Sequence, residues 1–403
     1  MTSRRLRILY VAPYEPSDLA VRARLLIGAI AQRHDVHVLT LRRPSVASAS
    51  MIGSAQRAVP STRLDKLLAL RHVAEPSYPL QSMAAASRAM RKEVAAAMQG
   101  GQYDLVHVEH LRALPYLPAQ RNLPVLFDAV DCVSELFRLA ARERKPPSRW
   151  LYGAEAGRVR RYEMRALTTV DRVVVTSPRD AAALQEHCPQ ARIAVVTNPV
   201  DRARFTPGGG PRSRLVVMTG KMSFHANSTA ARWLCERIWP LVCAEHPDAR
   251  LFIAGTGPPR SIRRLACEGI RVGDYVPDLA ATIRQAAVAV APLRYAVGVQ
   301  NKVLEALACA TPVVATPAAI GDLGLHNGRD AIIADTAEDL ARGVSLLLSN
   351  PTVARQIGEA GLQYAMAHHS IAATADLLES EYYDMLGRTP SPRLELGYAA
   401  AGR

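Results

Sequence analysis

Short apolar runs alternate along the chain with longer segments in which apolar residues recur at helical spacing. Segments near residues 21–32 and 82–99 have the periodicity of helices, whereas residues 44–62, rich in Ser, Ala and Gly, predict a loop. Strands that alternate with helices in this way are typical of a doubly wound parallel sheet. The runs that predict buried strands in the first half are Arg7–Ala12, Asp35–Thr40, Leu105–Val108, Val125–Asp128 and Val170–Thr176.

Pro and Gly interrupt this pattern at residues 198–213, and we predict a domain linker there. A chain of 403 residues suits two domains, one over residues 1–200 and one over 201–387. The final helix is a candidate to pack back on the first domain, and residues 388–403 are expected to form a disordered tail. After the linker we predict strands at 215–218, 251–255, near Val272 and at 288–291, and a helix at 228–243. The end of the chain, about 351–386, is predicted to be helical.

Charge adds one element to this picture, because the formal net charge is +14. It favours anionic partners: nucleotide phosphates, acidic lipid surfaces or nucleic acid. Nucleic acid is disfavoured, since no helix-turn-helix, zinc-finger or aromatic–basic strand pattern occurs. No run of about twenty apolar residues is present, so no transmembrane helix is expected. The short apolar run after Arg7 indicates a strand rather than a signal peptide.

The six cysteines show neither CxxC spacing nor histidine partners at metal-ligand spacing. Most lie in apolar, helix-like surroundings, where a buried free thiol is the usual state. We therefore predict free thiols, a reducing compartment and a cytoplasmic location. No Asp-x-Asp motif occurs, and no metal site is predicted.

Residues 298–321 carry the most informative pattern in the chain. Lys302 and Glu305 lie three residues apart in an otherwise apolar, helix-like segment that follows Gly298 and precedes a Pro-Val-Val strand. Three residues is nearly one helical turn, so the two charges share a face. A cation there suits a phosphate, and a carboxylate suits sugar hydroxyls. The alternative is an ordinary strand–helix unit whose Lys and Glu are solvated.

This stretch resembles the donor-site signature of the retaining GT-B glycosyltransferases of family 4, in which two glutamates eight residues apart precede a small-residue helix. Glu305 is at the second position, and Val297 replaces the first glutamate. The Gln300-Asn301-Lys302 sequence is similar to a bacterial branch associated with exopolysaccharide. The resemblance implies an α/β fold of GT-B architecture: two Rossmann-like, doubly wound parallel-sheet domains facing a cleft.

Further segments resemble the family in the same order and extend the resemblance over nearly the whole chain: NPVDRARFTP, MTGKMSFHANS, LFIAGTGPP and VGDYVPDL. Lys221 would face the diphosphate together with Lys302, with Asn227 or Ser228 capping the next helix; the alternative is an exposed turn. In place of the missing glutamate, backbone N–H groups of residues 298–300 would contact the sugar. The implied donor-binding set is Gly220, Lys221, Gly298, Gln300, Asn301, Lys302 and Glu305.

In the first domain the resemblance implies catalytic candidates at two strand ends. Family members often carry D-x-x-H-x-H where this chain has residues 104–109, so Glu109 is at the position of the last His and His110 follows it. Asp128 and Asp131 are similar to a D-x-x-D pattern that holds hydroxyl groups. The alternatives are a solvated loop and helix capping by Asp131 or Ser134. The catalytic candidates are Glu109, His110 and Asp128.

Basic residues cluster between positions 142 and 165. Such a cluster could meet an anionic membrane or the phosphate of a lipid-linked acceptor; the alternative is a solvated helix face. The cluster consists of Arg142, Arg144, Lys145, Arg149, Arg158, Arg160, Arg161 and Arg165.

The sequence thus predicts a sugar-nucleotide-dependent transferase, retaining and metal-independent, at or near the inner face of the plasma membrane. Its acceptor would be a growing polysaccharide or a lipid-linked precursor. The nucleoside-diphosphate sugar is a substrate, and no cofactor or nucleic-acid partner is expected. Two rivals stay open. One is a non-catalytic relative that binds nucleotide or glycan, favoured by Val297. The other is a GT-B sugar-nucleotide epimerase, which needs several acid and base side chains in the cleft.

Overall fold

The structure, a computed structural model, describes residues 5–17, 20–42, 53–210 and 212–388. Residues 389–403 of the predicted tail and residues 44–52 of the predicted loop lie outside the described residues.

The first lobe is built on a parallel sheet whose described strands run in the order β3-β2-β1-β4-β5-β6-β7. The order reverses beside β1, and such a point in an α/β sheet opens a crevice at the carboxyl ends of the strands. The strands are β1 (Arg7–Ala12), β2 (Asp35–Leu41), β3 (Ala55–Val59), β4 (Leu105–Glu109), β5 (Val125–Val130), β6 (Arg172–Val175) and β7 (Ile193–Val195). The helices are α1 (Val21–Ala31), α2 (Arg63–Ala69), α3 (Leu80–Met83), α4 (Arg88–Gln99), α5 (Val133–Arg142), α6 (Ser148–Leu167) and α7 (Pro178–His187).

The second lobe repeats this architecture on a parallel sheet ordered β10-β9-β8-β11-β12-β13. Its strands are β8 (Ser213–Thr219), β9 (Arg250–Ala254), β10 (Ile270–Val272), β11 (Ala286–Ala291), β12 (Val313–Ala315) and β13 (Ile332–Ile333). Its helices are α8 (His225–Trp233), α9 (Trp239–Glu245), α10 (Arg260–Arg263), α11 (Leu279–Gln285), α12 (Asn301–Ala308), α13 (Pro317–Ile320), α14 (Ala337–Ser349) and α15 (Pro351–His368). Two parallel-sheet α/β lobes confirm the predicted fold class.

The last helix, α16 (Ile371–Met385), leaves the second lobe and packs on α1 of the first. Leu378 and Tyr382 are buried in the core that contains β1 and α1. Tyr382 shares a 2.7 Å hydrogen bond with Nδ1 of His107 on β4, and Glu379 lies 2.9 Å from Nε2 of His34. The chain therefore crosses between the lobes twice.

Three element predictions need correction. Residues 55–59 of the predicted loop form the edge strand β3, and the predicted helix at 82–99 is divided into α3 and α4. The predicted helix at 228–243 begins earlier, at His225, and is interrupted by one π-helical turn at Leu234–Ile238. Among the described helices, none combines the length and apolar character needed to span a bilayer. The six cysteines are free thiols.

Candidate active site

A cavity of about 490 Å³ lies between the two lobes, at the carboxyl ends of their strands. A volume of this size suits a small-molecule ligand. Seven of the ten sequence-predicted site residues line it: Glu109 from the first lobe, and Gly220, Lys221, Gln300, Asn301, Lys302 and Glu305 from the second.

The floor of the cavity is formed by two glycine turns that follow β8 and β9. Gly220 has φ 141°, and a Cβ at this position would lie 2.9 Å from Nδ2 of Asn227 and 3.2 Å from Cε of Lys302. A Cβ at Gly255 would lie 1.7 Å from the carbonyl oxygen of Gly220. The two turns thus meet backbone to backbone, and this leaves room above them for a ligand's phosphates. Gly255 belongs to the LFIAGTGPP segment that resembles the family, but the sequence did not identify it as a site residue.

Lys302 is held at the edge of these turns by two amide side chains. Its Nζ donates to Oδ1 of Asn227 and to Oε1 of Gln300, both at 3.0 Å. Burial lowers the pKa of Lys302 to about 8, and the nearby Glu305 opposes this shift. The two hydrogen bonds therefore fix the direction of the side chain. Its pKa lies close to neutral pH, so a small rise in pH removes its charge.

Asn227 and Ser228 do not cap α8 as expected, because the helix begins before them. Nδ2 of Asn227 donates to the carbonyl oxygen of Lys221 at 2.9 Å, and Oγ of Ser228 donates to that of Met222. Both side chains thus fold the turn after β8 onto the helix. Lys221 has an exposed side chain on the cavity wall.

Glu305 lies one helical turn after Lys302 on α12 and also lines the cavity. Burial raises its pKa to about 7, while Arg204 and Lys302 act in the opposite direction. Arg204 belongs to the interdomain segment and also lines the cavity, a position that sequence reasoning missed. A carboxylate among cations in a cleft is suited to accept hydrogen bonds from ligand hydroxyls.

The backbone before α12 is tied to the first lobe. The N–H of Gly298 donates to Oδ2 of Asp180 at 2.8 Å, and that of Val299 donates to Oγ1 of Thr176 at 3.2 Å. Gly298 has φ 63°, and a Cβ there would lie 1.8 Å from Oδ1 of Asp131. These two N–H groups are therefore occupied in this structure, so of the three expected to contact the sugar, the contacts contradict those of Gly298 and Val299 and leave that of Gln300 a prediction.

Asn198 makes a second connection between the lobes. Its Nδ2 donates to the carbonyl oxygen of Val299 at 3.2 Å and to Oδ1 of Asn301 at 3.0 Å. Its Oδ1 accepts from Nη1 of Arg22 at 3.1 Å. Asn301 therefore joins the lobes with its side chain, and sequence reasoning missed Asn198 and Arg22 because their contacts span about one hundred residues or more.

Val297, at the position of the family's first glutamate, is 8% exposed. It packs with Leu136 and Ala140 of α5 and with Ala226 and Tyr295 of its own lobe. Val297 therefore makes an apolar contact between the lobes and also lines the cavity.

Glu109 ends β4 at the cavity, beneath two tyrosines. It accepts from the hydroxyl groups of Tyr10, at 2.8 Å, and Tyr14, at 2.5 Å. Burial and the charge of Asp128 raise the pKa of Glu109 to about 7, against the two tyrosine hydrogen bonds. Near neutral pH this carboxyl group can thus donate or accept a proton.

The other two catalytic candidates do not line the cavity. Asp128 is fully buried and accepts from Nε of Arg22 at 2.9 Å, so its carboxylate lies behind that arginine. Burial raises the pKa of Asp128, and Arg22 opposes the shift. His110 has φ 65°, and its Nδ1 accepts from the backbone N–H of Arg112 at 3.2 Å. Arg22 and Asp131 occupy the cavity wall in their place.

One group in the described part of the chain has the donor set of a metal site, and it lies outside the cavity lining. Ligand atoms of Cys132, Glu163 and His187 are within 4.8 Å of one another, although the sequence suggested no cysteine–histidine pair. Glu163 already uses Oε1 to accept from the backbone N–H groups of Val133 and Ser134, at 2.9 and 3.2 Å. It thereby caps α5.

Two family models match separate parts of the chain. The model described as Glycosyltransferase Family 4 matches residues 19–204, and the one described as Glycosyl transferases group 1 matches residues 213–350. A curated relative, D-inositol 3-phosphate glycosyltransferase of Arthrobacter sp. (strain FB24), is 25% identical over 380 residues, which cover 88% of this chain and 85% of the relative.

Solved structures of similar fold cover nearly the whole chain. Sucrose-phosphate synthase from Thermosynechococcus elongatus superposes with a TM-score of 0.70 at 18% identity, covering 94% of this chain and 99% of the other. The Anabaena protein HepE, in complex with UDP and glucose, gives 0.65 at 12% identity, with the same coverage. A trehalose-phosphate synthase from Burkholderia vietnamiensis gives 0.66 at 13% identity, covering 94% and 100%. At these identities the likeness establishes the fold.

Proposed function

The chain belongs to the group 1 glycosyltransferases of GT-B fold, and from that premise we propose that it moves a sugar from a nucleoside-diphosphate sugar to a glycan or lipid-linked acceptor. One observation carries the proposal: Lys302 and Glu305 lie one turn apart on the cavity wall, beside the glycine turns. The cation and the open turns suit a diphosphate, and the carboxylate suits ribose hydroxyls. The Anabaena neighbour, whose structure contains UDP and glucose, has the same fold.

The transfer step in this proposal is metal-independent and retains the anomeric configuration. Charge grows on the departing diphosphate as the sugar bond breaks, and positioned cations stabilise that charge more than the ground state. Lys302 and Lys221 both line the cavity next to the Gly220 turn. Because the pKa of Lys302 is about 8, it is predominantly protonated at neutral pH before the donor arrives.

Three further residues have roles in the same proposal. Tyr275 lines the second-lobe side of the cavity with 71% of its surface exposed, so its ring is available to stack on a nucleobase. Glu109 reaches the cavity from the first lobe, where its carboxyl group would hydrogen-bond the transferred sugar. Asp128 is assigned a positioning role, because it fixes Arg22 rather than touching a ligand.

The finer parts of the proposal concern the setting of the reaction. We place it in bacterial exopolysaccharide synthesis, in the cytoplasm at the inner face of the membrane. The free cysteines are consistent with a reducing compartment, and the net charge of +14 favours an acidic lipid surface.

A transfer assay with a panel of nucleoside-diphosphate sugars and lipid or glycan acceptors tests the function. We expect one donor to release its nucleoside diphosphate only in the presence of acceptor, with the donor's anomeric configuration in the product. An inverted product would refute retention. Donor binding without transfer to any acceptor would favour the non-catalytic rival, and a changed donor sugar without acceptor would favour the epimerase.

A further inference from the structure

The segment between β3 and α4 exposes apolar side chains that no described element covers. Five of them lie on α2 and the 3-10 turn Leu70–Ala74 that follows it, and together with the cations between them we call this the α2 surface. Leu64, Leu67 and Leu68 are three and four residues apart and therefore share one face of α2, and exposed apolar residues grouped in this way mark an interaction site. Their exposed fractions are 50% for Leu64, 63% for Leu67, 39% for Leu68, 54% for Leu70 and 46% for Val73.

The charges of the α2 surface have a single sign. Arg63, Lys66 and Arg71 are exposed among the leucines. The acid within residues 63–74, Asp65, is 5% exposed and points inward, where it completes a capping box with Thr62 and pairs with Nε of Arg88 at 3.0 Å. Glu75, just beyond the turn, is 43% exposed and lies 2.9 Å from Nδ1 of His72. Solvent therefore meets leucines and cations without a competing carboxylate from residues 63–74.

A small cavity beside the leucines adds to this positive character. It has a volume of about 100 Å³ and lies between α2 and the start of α4. Arg71, Arg88 and Arg91 line it together with Asp65, which pairs with Arg88, so the charged lining is positive overall. Its size and charge suit a phosphate group, since guanidinium groups bind phosphate with directed hydrogen bonds.

The segment is held in place from behind by arginines of α6. Arg158 donates to the carbonyl oxygens of Val73 and Glu75, at 2.8 and 2.7 Å. Arg165 donates to Oγ of Ser77 at 2.6 Å, and Arg161 donates to the carbonyl oxygen of Pro76. Arg158 of the predicted basic cluster thus ties the end of the α2 surface to α6. Arg161 and Arg165 hold the residues that directly follow the surface, and both remain exposed.

The α2 surface starts at the cavity edge of the first sheet. β3 runs parallel to β2, and β2, β1 and β4 are parallel in turn, so Val59 at the end of β3 is at the same edge as Glu109 at the end of β4. α2 begins four residues after β3 ends. A partner that binds the α2 surface would therefore lie on the side of the first lobe that carries the cavity.

We propose that the α2 surface docks on an anionic lipid bilayer. Leu64, Leu67 and Leu68 would enter the boundary between headgroups and acyl chains, and the cations would bind lipid phosphates, as amphipathic basic helices do. The value of such docking rests on the proposed function, since it would bring a lipid-linked acceptor to the cavity. Docking itself requires neither donor nor transfer.

Cosedimentation with vesicles tests the proposal without substrate. We expect the full chain to bind vesicles that contain phosphatidylglycerol at least about tenfold better than vesicles of phosphatidylcholine alone. The triple variant Leu64→Ser, Leu67→Ser, Leu68→Ser should lose about tenfold or more of that binding. Arg63→Glu with Lys66→Glu should abolish the preference for anionic lipid. These side chains are exposed, so the melting temperature should not change.

Matched controls lie on the second lobe, where Leu346→Ser replaces a leucine with 45% exposure and Arg237→Glu reverses an exposed cation. Both should bind vesicles as the wild type does. Unchanged vesicle binding by the triple variant would overturn the proposal, as would a wild-type dimer that this variant converts to a monomer. Transfer to a soluble acceptor should be unaffected by the triple variant. If no acceptor is glycosylated but vesicle binding follows this pattern, docking stands and the proposed function fails.

Discussion

Lys302 and Glu305 illustrate how one environment acts oppositely on two charges. Burial in the cleft disfavours both ionised forms, so it lowers the pKa of Lys302 to about 8 and raises that of Glu305 to about 7. Each side chain partly stabilises the charge of the other. The pair is therefore ionised over a narrow range around neutral pH, and a bound diphosphate would extend that range for the lysine.

Replacing Lys302 by Ala should lower turnover by roughly tenfold to a thousandfold, or about 1.4–4 kcal/mol, because the departing diphosphate loses a positioned cation. Lys221→Ala should have an effect of the same sign. Lys145→Ala, an exposed lysine outside the cavity lining, serves as the control. Steady-state rates with saturating acceptor measure the effect. Wild-type rates in both folded variants would place the phosphate site elsewhere.

The pH dependence of kcat/KM for the donor should be bell-shaped, since it reports the free enzyme. As pH falls through about 7, Glu305 becomes protonated and loses its negative charge and part of its acceptor capacity. As pH rises through about 8, Lys302 loses its positive charge. A sugar nucleotide suits this measurement because its diphosphate diester does not titrate near neutrality. Glu305→Gln should lower the maximum and remove the contribution of Glu305 to the acid limb, while the basic limb persists. An unchanged acid limb would show that another group controls it.

At the scale of residues, the sequence identified the pair on α12 because spacing along one helix determines which side chains share a face. It did not distinguish Asp128 from Asp131. Asp131 lines the cavity and Asp128 does not. The reason is Arg22, which lies 106 positions before Asp128 and covers its carboxylate. Contacts at such separations leave no local pattern.

At the scale of elements, the start of α5 depends on a residue of α6. Glu163→Ala would leave the backbone N–H groups of Val133 and Ser134 without their acceptor and should lower the free energy of unfolding by about 1–3 kcal/mol. Glu163→Gln keeps an oxygen acceptor and should cost less. Denaturant unfolding measures both, with exposed Glu245→Ala as the control.

The difference in stability between the wild type and Glu163→Gln should depend on pH with a definite sign. Burial raises the folded-state pKa of Glu163 to about 7, so the folded protein holds its proton more tightly than the unfolded chain. The stability that this raised pKa contributes is therefore complete below the ordinary pKa of a glutamate, and it is lost as pH rises from there through about 7. Relative to wild type, Glu163→Gln should gain stability across that range. A constant difference between the two would contradict the assignment.

The elements that the sequence missed lack the signals on which such predictions depend. β3 is an edge strand whose residues, AQRAV, alternate between exposed and half-buried over the first four positions, so no apolar run marks it. The π-helical turn at Leu234–Ile238 consists of residues that also favour an α-helix, so composition does not mark it either. The central parallel strands of both lobes were predicted because apolar residues dominate each run. The short strands β7 and β13, which are not fully buried, were missed.

At the scale of the whole molecule, the linker and the order of strands and helices predicted two α/β lobes, but not how they touch. The contacts of Val299 with Thr176 and of Gly298 with Asp180 join residues 123 and 118 positions apart. They depend on the arrangement of two complete lobes. This arrangement also occupies two of the N–H groups that the sequence assigned to the sugar, those of Gly298 and Val299.

Turnover should proceed without added divalent metal and survive a chelator, because Lys221 and Lys302 supply positive charge beside the glycine turns. Rates with and without EDTA, measured on dialysed protein, test this expectation. Complete loss with EDTA and restoration by magnesium or manganese would contradict it. A parallel melting curve separates loss of transfer from an effect on the Cys132, Glu163 and His187 group, which is outside the cavity.

The central claim is that the wall formed by α12 binds the nucleoside diphosphate, and calorimetric titration tests it most directly. One nucleoside diphosphate should bind the wild-type protein at a single site. Glu305→Ala should weaken that nucleotide and its sugar conjugate alike, by about 1–3 kcal/mol, through lost charge-assisted hydrogen bonds. Wild-type affinity for both ligands in a Glu305→Ala protein with an unchanged melting temperature would contradict the claim.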